Sequence, residues 1–242
     1  MIRLDQLLLE QGLVEDAKEA TSLILAGKVL LDERVIDKPG APVSPGSSIR
    51  IKKSLPYVSR GGLKLEAALV HFNIDPEGWI CCDIGASTGG FTDCLLQRGA
   101  SKVYAVDVAY GQLAWKLRSD ERVVVVERCN VRQLDRQHIP QAINLAVFDT
   151  SFISLTKVIP PVLPLFTSPV RIIALVKPQF ECSRDKVGAG GIVTSNMHRM
   201  EAVEKIIQFG TDHGLTSHGH TASPITGAKG NQEYLIYLRS DE

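Results

Sequence analysis

The stretch ICCDIGASTGGF at residues 80–91 decides how this chain folds. An apolar run of strand character passes directly into a turn that contains Gly85, Gly89 and Gly90, and a helical pattern follows. Glycines at such a junction permit a tight turn and let a ligand approach the backbone, as in doubly wound α/β domains. The spacing differs from the G-x-G-x-x-G of dinucleotide sites and from the G-x-x-x-x-G-K-[ST] of P-loops. The sequence therefore predicts a ligand-binding strand–turn–helix unit of another kind.

Apolar strand-like runs alternate with helical patterns from this unit to the end of the chain. The later runs are KVYAVDV (102–108), RVVVVE (122–127), NLAVFDTSF (144–152) and RIIALVKPQF (171–180), and helices are predicted over 91–98, around 112–117, after Thr156 and over 195–213. Continuous apolar strands between helices predict a mostly parallel sheet that is covered on both faces. The last run, EYLIYLR at 233–239, is expected to be an antiparallel edge strand.

The residues before this domain have a different pattern. Two short helices are predicted first, and the second of them begins with the N-cap Asp16 and ends at Gly27. KVLLDERVIDKPG at 28–40 then indicates a strand, a turn and a strand. We predict a small α+β module over 1–53, a linker over 54–62 and an α/β domain over 63–242. Every charged residue from 50 to 64 is basic, so the linker is either a phosphate clamp or a solvated connector.

Composition and charge exclude several classes of protein. The chain has 242 residues, 44% of them hydrophobic, which allows a sizeable core and excludes disorder. Lys and Arg number 27, and Asp and Glu number 27, so any contact with a nucleic acid has to rest on local basic patches. Five cysteines without a C-x-x-C pair predict reduced thiols and no metal site. With no apolar run that could span a bilayer and no signal peptide, we expect a cytoplasmic protein.

Polar residues after the strand-like runs indicate the chemistry. Asp107, about twenty residues beyond the glycine turn, can accept hydrogen bonds from both hydroxyls of a ribose. NAD enzymes and methyltransferases share such an acid, but the glycine spacing favours the methyltransferases. D-x-G-x-x-x-G-G-F in fact resembles motif I of S-adenosylmethionine-dependent methyltransferases. Asn130 and Val131, which end the third strand, fall where such enzymes often bind adenine.

The next two strand ends favour a hydroxyl group as the methyl acceptor. No prolines follow Asp149, whereas they are typical of enzymes that methylate exocyclic amines, and no cysteine ends these strands to serve base methylation. A ribose hydroxyl is a weak nucleophile at neutral pH, so a cation has to stabilise the developing oxyanion. Lys177 is placed to do this or to accept the proton, and Asp149 can hold it. Lys64 and Glu233 can complete a cluster of alternating charge.

Taken together, these segments resemble a known family. K…D…K…E in this order is similar to the tetrad of FtsJ/RrmJ-type ribose 2′-O-methyltransferases. SRGGLKL, DIGASTGGF, FDTSFISL, LVKPQFE and KGNQEY resemble the TlyA family, whose members are often called hemolysins. RLDQLL, A-x-x-LILAGKVLLD and V-x-x-G-x-x-IRI resemble the S4 RNA-binding domain. The resemblance covers essentially the whole chain and implies a Rossmann-like α/β methyltransferase fold with a small N-terminal α+β S4 domain.

The resemblance implies an enzyme that uses S-adenosylmethionine to methylate the ribose 2′-hydroxyl of a cytidine in ribosomal RNA, with a ribosomal subunit as partner. The implied catalytic residues are Lys64, Asp149, Lys177 and Glu233. The cofactor-binding candidates are Asp83, Gly85, Ala86, Ser87, Gly89, Phe91, Asp107, Val108, Asn130, Val131 and Asp149. The candidate RNA contacts are Arg3, Lys18, Lys28, Lys52, Lys53 and Arg60. Because the chain begins almost directly at RLDQLL, it is similar to the shorter family members, and large-subunit RNA is the expected substrate.

Two other functions stay open at the level of sequence. One is a non-catalytic RNA-binding or ribosome-assembly factor on the same fold, against which the glycine turn and the complete tetrad count. The other is a membrane-lytic protein, but no strongly amphipathic basic helix supports it. The loop at 181–193, rich in Gly and basic residues, is expected to close over the substrate. The oligomeric state is not predicted.

Overall fold

The computed structural model describes residues 1–52 and 55–241. Its contacts divide the chain between Pro56 and Tyr57 into two units. Residues 57–62 of the predicted linker therefore lie in the second unit. Lys53, one of the predicted RNA contacts, and Ser54 lie outside the described residues.

The first unit consists of two helices and two small sheets. Its elements are β1 (Ile2–Arg3), α1 (Leu4–Glu10), α2 (Ala17–Leu25), β2 (Val29–Leu31), β3 (Arg34–Val35), β4 (Pro42–Val43) and β5 (Ile49–Ile51). β2 pairs with β3 and β5, and β1 pairs with β4, all antiparallel. The core consists of the buried leucines of α1, Ala20 and Ile24 of α2, and Val29 and Val43.

Local sequence signals determine where these elements begin and end. Asp16 caps α2 by accepting a hydrogen bond of 2.7 Å from the backbone N–H three residues on. Gly27 follows the end of α2 with a φ of +63°, the left-handed conformation in which many helices terminate. Asp32 and Glu33 have φ values of +46° and +65°, as a two-residue type I′ turn between β2 and β3 requires. The two predicted helices and the strand, turn and strand after them are confirmed, whereas β1 before α1 and the short β4 were not predicted.

The second unit contains a larger sheet with helices on both sides. Its elements are α3 (Gly61–His71), β6 (Ile80–Ile84), α4 (Gly90–Gln97), β7 (Lys102–Val106), α5 (Trp115–Arg118), β8 (Val123–Val126), β9 (Leu145–Phe148), α6 (Leu155–Val158), β10 (Arg171–Val176), α7 (Pro178–Glu181), α8 (Asn196–Asp212), β11 (Thr216–Ala222) and β12 (Tyr234–Arg239). Two apolar clusters form its core, and each includes side chains from most strands of the sheet.

The seven strands of this sheet follow the order β11-β12-β10-β9-β6-β7-β8. The five strands from β10 to β8 are parallel, whereas β12 is antiparallel to both of its neighbours. The predicted α/β fold with a mostly parallel, Rossmann-like sheet is thereby confirmed. After β6 the chain continues to β7 on one side, while β9 lies on the other. Open α/β sheets bind ligands at the carboxyl ends of strands at such a switch point.

Some predicted elements differ from the observed ones. The region around 112–117 contains only one helical turn, α5, and α6 gives way to a 3-10 helix at Pro160–Leu165, where prolines interrupt the hydrogen-bond ladder. β12 is antiparallel as predicted but not an edge strand, because β11 pairs with its other side. The sequence of β11, TSHGHTA, has no apolar alternation, so the pattern did not indicate a strand there.

Candidate active site

Four charged side chains meet at the carboxyl edge of the large sheet. Lys64 lies in the first turn of α3, Asp149 follows β9, Lys177 follows β10 and Glu233 precedes β12. They form two ion pairs. Lys64 Nζ lies 2.5 Å from Glu233 Oε2, and Lys177 Nζ lies 2.7 Å from Asp149 Oδ1. All four side chains line one cavity of about 660 Å³, so the structure brings the predicted tetrad together.

The pair between Lys64 and Glu233 is enclosed by the protein. Their side chains are 10% and 3% exposed. Glu233 lies against the backbone of Gly227, where an added Cβ would be 2.5 Å from Glu233 Oε1. Buried charges are costly unless they are held close to a partner. The missing side chain at Gly227 therefore provides the space in which the Glu233 carboxylate meets Lys64.

The pair between Lys177 and Asp149 is more open on its carboxylate side. The side chain of Asp149 is 24% exposed, whereas that of Lys177 is 10% exposed. Lys177 Nζ also donates a hydrogen bond of 2.9 Å to Ser151 Oγ. Ser151 is absent from the residues predicted by sequence, because its contact with Lys177 depends on the path of the loop after β9. The Lys177 amine thus has two acceptors from one loop.

The glycine turn after β6 brings two strand ends together. Gly85 has a φ of +86°, and a Cβ at this position would lie 2.8 Å from the carbonyl oxygen of Asp149. Only glycine can adopt this conformation and leave room for the neighbouring backbone. Ala86 and Phe91, two further predicted cofactor residues, line the large cavity beside Gly85.

Two other glycines of this turn serve packing within the protein. A Cβ at Gly89 would lie 2.2 Å from Leu117 Cδ1, and one at Gly90 would lie 2.9 Å from the backbone nitrogen of Gly62. Gly89 lines neither the large cavity nor the smaller one beside it. Side chains are excluded there by α5 and by the start of α3. Gly90 also lines the large cavity, and the approach of a ligand at these two positions stays a prediction.

Asp83 is buried at the wall of the large cavity. Its Oδ2 accepts hydrogen bonds from the Thr92 hydroxyl at 2.6 Å and the Thr92 backbone N–H at 2.9 Å. Its Oδ1 is buried and has no hydrogen-bond partner among the described residues. Burial raises the pKa of Asp83 to about 7; the Asp149 and Asp107 carboxylates add to the rise, and Thr92 opposes it. The carboxyl group can therefore gain charge near neutral pH when a cation arrives.

A second cavity of about 420 Å³ adjoins the first and shares Gly85 and Asp149 with it. Asp107, which follows β7, lies at its wall. The two carboxylate oxygens of Asp107 accept hydrogen bonds from the backbone N–H groups of Ser87 and Ala109, each at 2.8 Å. Because both oxygens are held, the carboxylate has a fixed orientation toward whatever occupies this cavity.

Val108, Asn130 and Val131 line the second cavity as well. Val108 is exposed and Val131 is buried. Asn130 Oδ1 accepts a hydrogen bond of 3.1 Å from the backbone N–H of Arg132 and so caps the 3-10 helix Val131–Gln133. The amide side chain of Asn130 thus turns its oxygen toward its own loop, which fixes the backbone at this end of the cavity.

Comparison with known proteins identifies the family. Residues 57–240 match the FtsJ-like methyltransferase family, and residues 2–49 match the S4 domain. The 16S/23S rRNA (cytidine-2′-O)-methyltransferase TlyA of Mycobacterium tuberculosis strain H37Rv is 43% identical, over 98% of this chain and 90% of the relative. The chain belongs to the TlyA family of FtsJ-like methyltransferases.

Two further relatives agree with this membership. Hemolysin A of Brachyspira hyodysenteriae is 41% identical, over 98% of this chain and 99% of the relative. A solved structure from Streptococcus thermophilus has a TM-score of 0.77 and 42% identity, covering 99% of this chain and 89% of that one. In residues 1–52 and 55–241 of the TlyA-family chain, no helix is long and apolar enough to cross a membrane, and no group of three or more metal-ligand side chains occurs.

One buried amide connects the two loops at the rim of the TlyA-family site. Asn231 is 3% exposed; its Oδ1 accepts a hydrogen bond of 2.9 Å from Val193 N–H, and its Nδ2 donates one of 2.8 Å to the Gly191 carbonyl. Gly191 lines the large cavity. The loop at 181–193 is thus attached to the loop that carries Gly227 and Glu233.

A buried carboxylate connects the two loops that carry Asp149 and Lys177. Glu181, at the end of α7, accepts hydrogen bonds from Ser154 Oγ at 2.6 Å, Leu155 N–H at 2.7 Å and Lys205 Nζ at 2.9 Å. Glu181 is the first residue of the loop expected to close over the substrate, and its contacts with the loop after β9 were not predicted. The contacts hold the loop after β9 against the loop after β10.

The predicted RNA contacts lie in both units. Three of the predicted contacts in the S4 unit, Lys18, Lys28 and Lys52, make no side-chain hydrogen bond or ion pair to another described residue. Arg3 differs, because it makes two hydrogen bonds to the Asp5 carboxylate, at 2.6 and 3.0 Å. Arg60, exposed at the start of α3, lines the large cavity of the methyltransferase unit.

Proposed function

We propose that the protein transfers a methyl group from S-adenosylmethionine to the 2′-hydroxyl of a cytidine ribose in ribosomal RNA. The observation that carries this proposal is the presence of two lysine–carboxylate pairs in one cavity that adjoins a second one. The second cavity, with Asp107 and the glycine turn, suits the nucleoside part of the cofactor. The first suits the reacting hydroxyl.

The residues of the two cavities fit S-adenosylmethionine. Asp83 Oδ1 lacks a partner, and the ammonium group of the cofactor's methionine part would supply one. The carboxylate of Asp107 has further lone pairs for two ribose hydroxyls beyond the bonds it already accepts. We assign the cofactor contacts to Asp83, Gly85, Ala86, Ser87, Phe91, Asp107, Val108, Asn130, Val131 and Asp149. When bound, S-adenosylmethionine supplies a methyl group that is activated on a positively charged sulfur.

Lys177 acts on the acceptor hydroxyl in this proposal. An ammonium group beside the 2′-oxygen stabilises the negative charge that grows there, and an unprotonated amine can accept the hydroxyl proton. Asp149, 2.7 Å away, keeps the Lys177 headgroup in place. Because the two residues follow neighbouring strands of one sheet, their separation is set by the fold rather than by flexible loops.

Lys64 and Glu233 line the same cavity as Lys177 and Asp149. Lys64 offers N–H donors to ribose or phosphate oxygens, and Glu233 compensates its charge. The four side chains of the tetrad carry no net charge when ionised, which limits the cost of burying them before RNA arrives. We propose that this pair orients the nucleotide while Lys177 takes part in the chemistry.

Several features support RNA as the substrate. The M. tuberculosis relative is by name a 16S/23S rRNA methyltransferase, and this chain has an S4 domain. Phe152 lines both cavities, is 90% exposed and packs against Phe180 with ring centroids 5.1 Å apart. An exposed aromatic face of this kind allows a nucleobase to stack. The preference for large-subunit RNA stays a prediction from the sequence resemblance, as does action on ribosomal subunits in the cytoplasm.

The proposal is tested with ribosomal subunits from a strain in which this gene is deleted. The purified protein is incubated with methyl-labelled S-adenosylmethionine and either small or large subunits, and the digested RNA is analysed for 2′-O-methylcytidine. We expect incorporation into a single position of a subunit RNA, and the two incubations show which subunit is used. Lys177→Ala serves as the inactive control.

Other outcomes have a definite meaning. Methylation of a base nitrogen or carbon would contradict the assignment of a hydroxyl acceptor. Tight RNA binding without methyl transfer, together with no binding of S-adenosylmethionine by calorimetry, would identify an RNA-binding factor and overturn the proposed activity.

A further inference from the structure

The amine of Lys177 has a defined set of neighbours. A lysine amine has three directions for hydrogen bonds around its nitrogen, besides the bond to Cε. Among the described residues, two partners occupy such directions: Asp149 Oδ1 at 2.7 Å and Ser151 Oγ at 2.9 Å. Lys177 itself lines the large cavity. The third direction is therefore the one available to a ligand in that cavity.

Two hydrogen-bond acceptors fix the rotation of a lysine amine about its Cε–Nζ bond, whereas a single acceptor does not. With a single acceptor, the headgroup can turn about its Cε–Nζ bond and still satisfy that contact with any of its N–H groups. With two acceptors at different directions, the rotation is fixed. Ser151 is exposed to the cavity and lies two residues beyond Asp149, so both acceptors belong to the same loop after β9.

We propose that Ser151 is a positioning residue, which together with Asp149 turns the third direction of the Lys177 amine toward the acceptor hydroxyl. The proposal rests on the proposed function and deepens it. In the protonated lysine the third direction carries an N–H group, which stabilises charge on the hydroxyl oxygen. In the neutral lysine both N–H groups are used by Asp149 and Ser151, and the third direction carries the lone pair.

In this reaction the neutral amine of Lys177 acts as the base. The hydroxyl oxygen forms a bond to the methyl carbon, the bond from that carbon to sulfur breaks, and the electron pair stays on sulfur. The hydroxyl proton passes to the Lys177 lone pair, and the resulting ammonium group keeps its hydrogen bonds to both acceptors. Without Ser151, the amine can present an N–H group to the hydroxyl instead of its lone pair, and the proton then has no acceptor.

A threonine–valine pair at position 151 tests the role of the hydroxyl. Ser151→Thr keeps the hydroxyl group, whereas Ser151→Val has nearly the shape of threonine but lacks the hydroxyl. Because Ser151 is exposed, either side chain has room for its added methyl group. We expect single-turnover rates at saturating cofactor and RNA to fall about 10- to 100-fold in Ser151→Val and Ser151→Ala, as for the loss of a hydrogen bond to a charged group. Ser151→Thr should stay within about threefold of the wild type.

The affinities separate positioning from a general structural effect. The Kd of S-adenosylmethionine and the KM for RNA should be unchanged in all three variants, because Ser151 acts on the orientation of Lys177. Ser101→Ala is the matched control: this hydroxyl donates to the Gly78 carbonyl at 2.8 Å and lies outside both cavities. Equal rates for Ser151→Thr and Ser151→Val would overturn the proposal.

A second measurement does not depend on any reaction of the enzyme. The rate at which a lysine-selective acylating reagent labels Lys177 is followed by mass spectrometry at fixed pH in the full-length protein. Labelling should accelerate severalfold in Ser151→Val and Ser151→Ala but not in Ser151→Thr, since the amine loses an acceptor. If labelling follows this order while the wild type methylates no ribosomal RNA, the proposed function fails and the contact stands. If labelling is the same in every variant, the inference about Ser151 fails.

Discussion

The two lysine–carboxylate pairs of the cavity use the same groups but are held differently. Lys64 and Glu233 are closed in, with Gly227 behind the carboxylate, and their side chains are 10% and 3% exposed. Lys177 and Asp149 stand at neighbouring strand ends, and the carboxylate is 24% exposed. An enclosed pair has little freedom to exchange partners, whereas a pair with an open side can meet a new one. This difference in exposure supports the proposed roles, in which the open pair takes part in the chemical step and the enclosed pair supports the site.

The largest effect is expected from Lys177→Ala. Removing one preorganised electrostatic contact to a developing oxyanion typically costs about 100- to 1000-fold in rate, and the loss is greater if Lys177 is the base. Lys177→Arg should not restore the rate, because a guanidinium stays protonated and is broader than an ammonium. The measurement is single-turnover methylation of ribosomal RNA at saturating cofactor. A rate above about a tenth of wild type in Lys177→Ala would contradict the role of Lys177 in the chemical step.

Glu233→Gln should affect stability more than Lys177→Ala does. The amide keeps the shape of the side chain but leaves the buried Lys64 ammonium without its carboxylate, and breaking a buried pair typically costs about 3 kcal/mol or more. We expect a rate loss smaller than that of Lys177→Ala and a clearly lower midpoint of urea unfolding. If Lys177→Ala proved the more destabilising of the two, the enclosed pair would not be the structural one.

Gly227→Ala tests whether the space beside Glu233 is needed for stability and for methylation. The added methyl group would displace the carboxylate, and overpacking of this kind typically costs about 1–3 kcal/mol. We expect about tenfold slower methylation with unchanged cofactor affinity. In a Glu233→Asp background, where the carboxylate is set back by one methylene, the same change should cost less. Gly46→Ala, at a glycine with nothing within 4 Å of an added Cβ, is the control.

Additive losses in this double-mutant cycle would mean that Gly227 acts independently of Glu233. That result would remove the argument that the enclosed pair is positioned by the backbone behind it. Coupling in both unfolding midpoint and rate is the expected outcome.

The smallest expected effect is the pH dependence that Asp83, a residue of neither ion pair, gives to stability and cofactor affinity. Its pKa is about 7 in the folded protein against an ordinary 3.8, so its contribution to stability is present at low pH and is lost as the pH rises through about 7. A cationic cofactor group favours the charged form, and the affinity for S-adenosylmethionine should therefore rise severalfold between pH 6 and 8.

Asp83→Asn removes this titration. The variant should bind the cofactor more weakly, with little dependence on pH, and without cofactor it should lose less stability than wild type between pH 5 and 8. Calorimetry and thermal unfolding across this range measure both properties. A wild-type affinity independent of pH would show that Asp83 does not hold the ammonium group.

The sequence patterns predicted the residues of the candidate site that lie at strand ends, because the ends of apolar runs are easy to recognise. Asp107, Asp149 and Lys177 each end an apolar run, and parallel strands bring such residues to one edge. Ser151 and Gly227 could not be assigned in this way. The contact of Ser151 depends on the path of a loop, and the importance of Gly227 depends on a carboxylate six residues further along that folds back onto it. Likewise, β11 is held by pairing with β12 rather than by an apolar pattern of its own.

The antiparallel position of β12 has a consequence for how the protein reaches its active form. The hydrogen bond between Lys64 and Glu233 joins residues 169 positions apart, and Glu233 directly precedes β12, which lies between β10 and β11. Contacts between distant parts of a chain form slowly, because the loop between them has to be closed first. The glycine turn and the parallel strands can thus be assembled while the enclosed pair is still missing. The enclosed pair therefore needs residues from both ends of the α/β domain, and a chain that lacks β12 cannot form it.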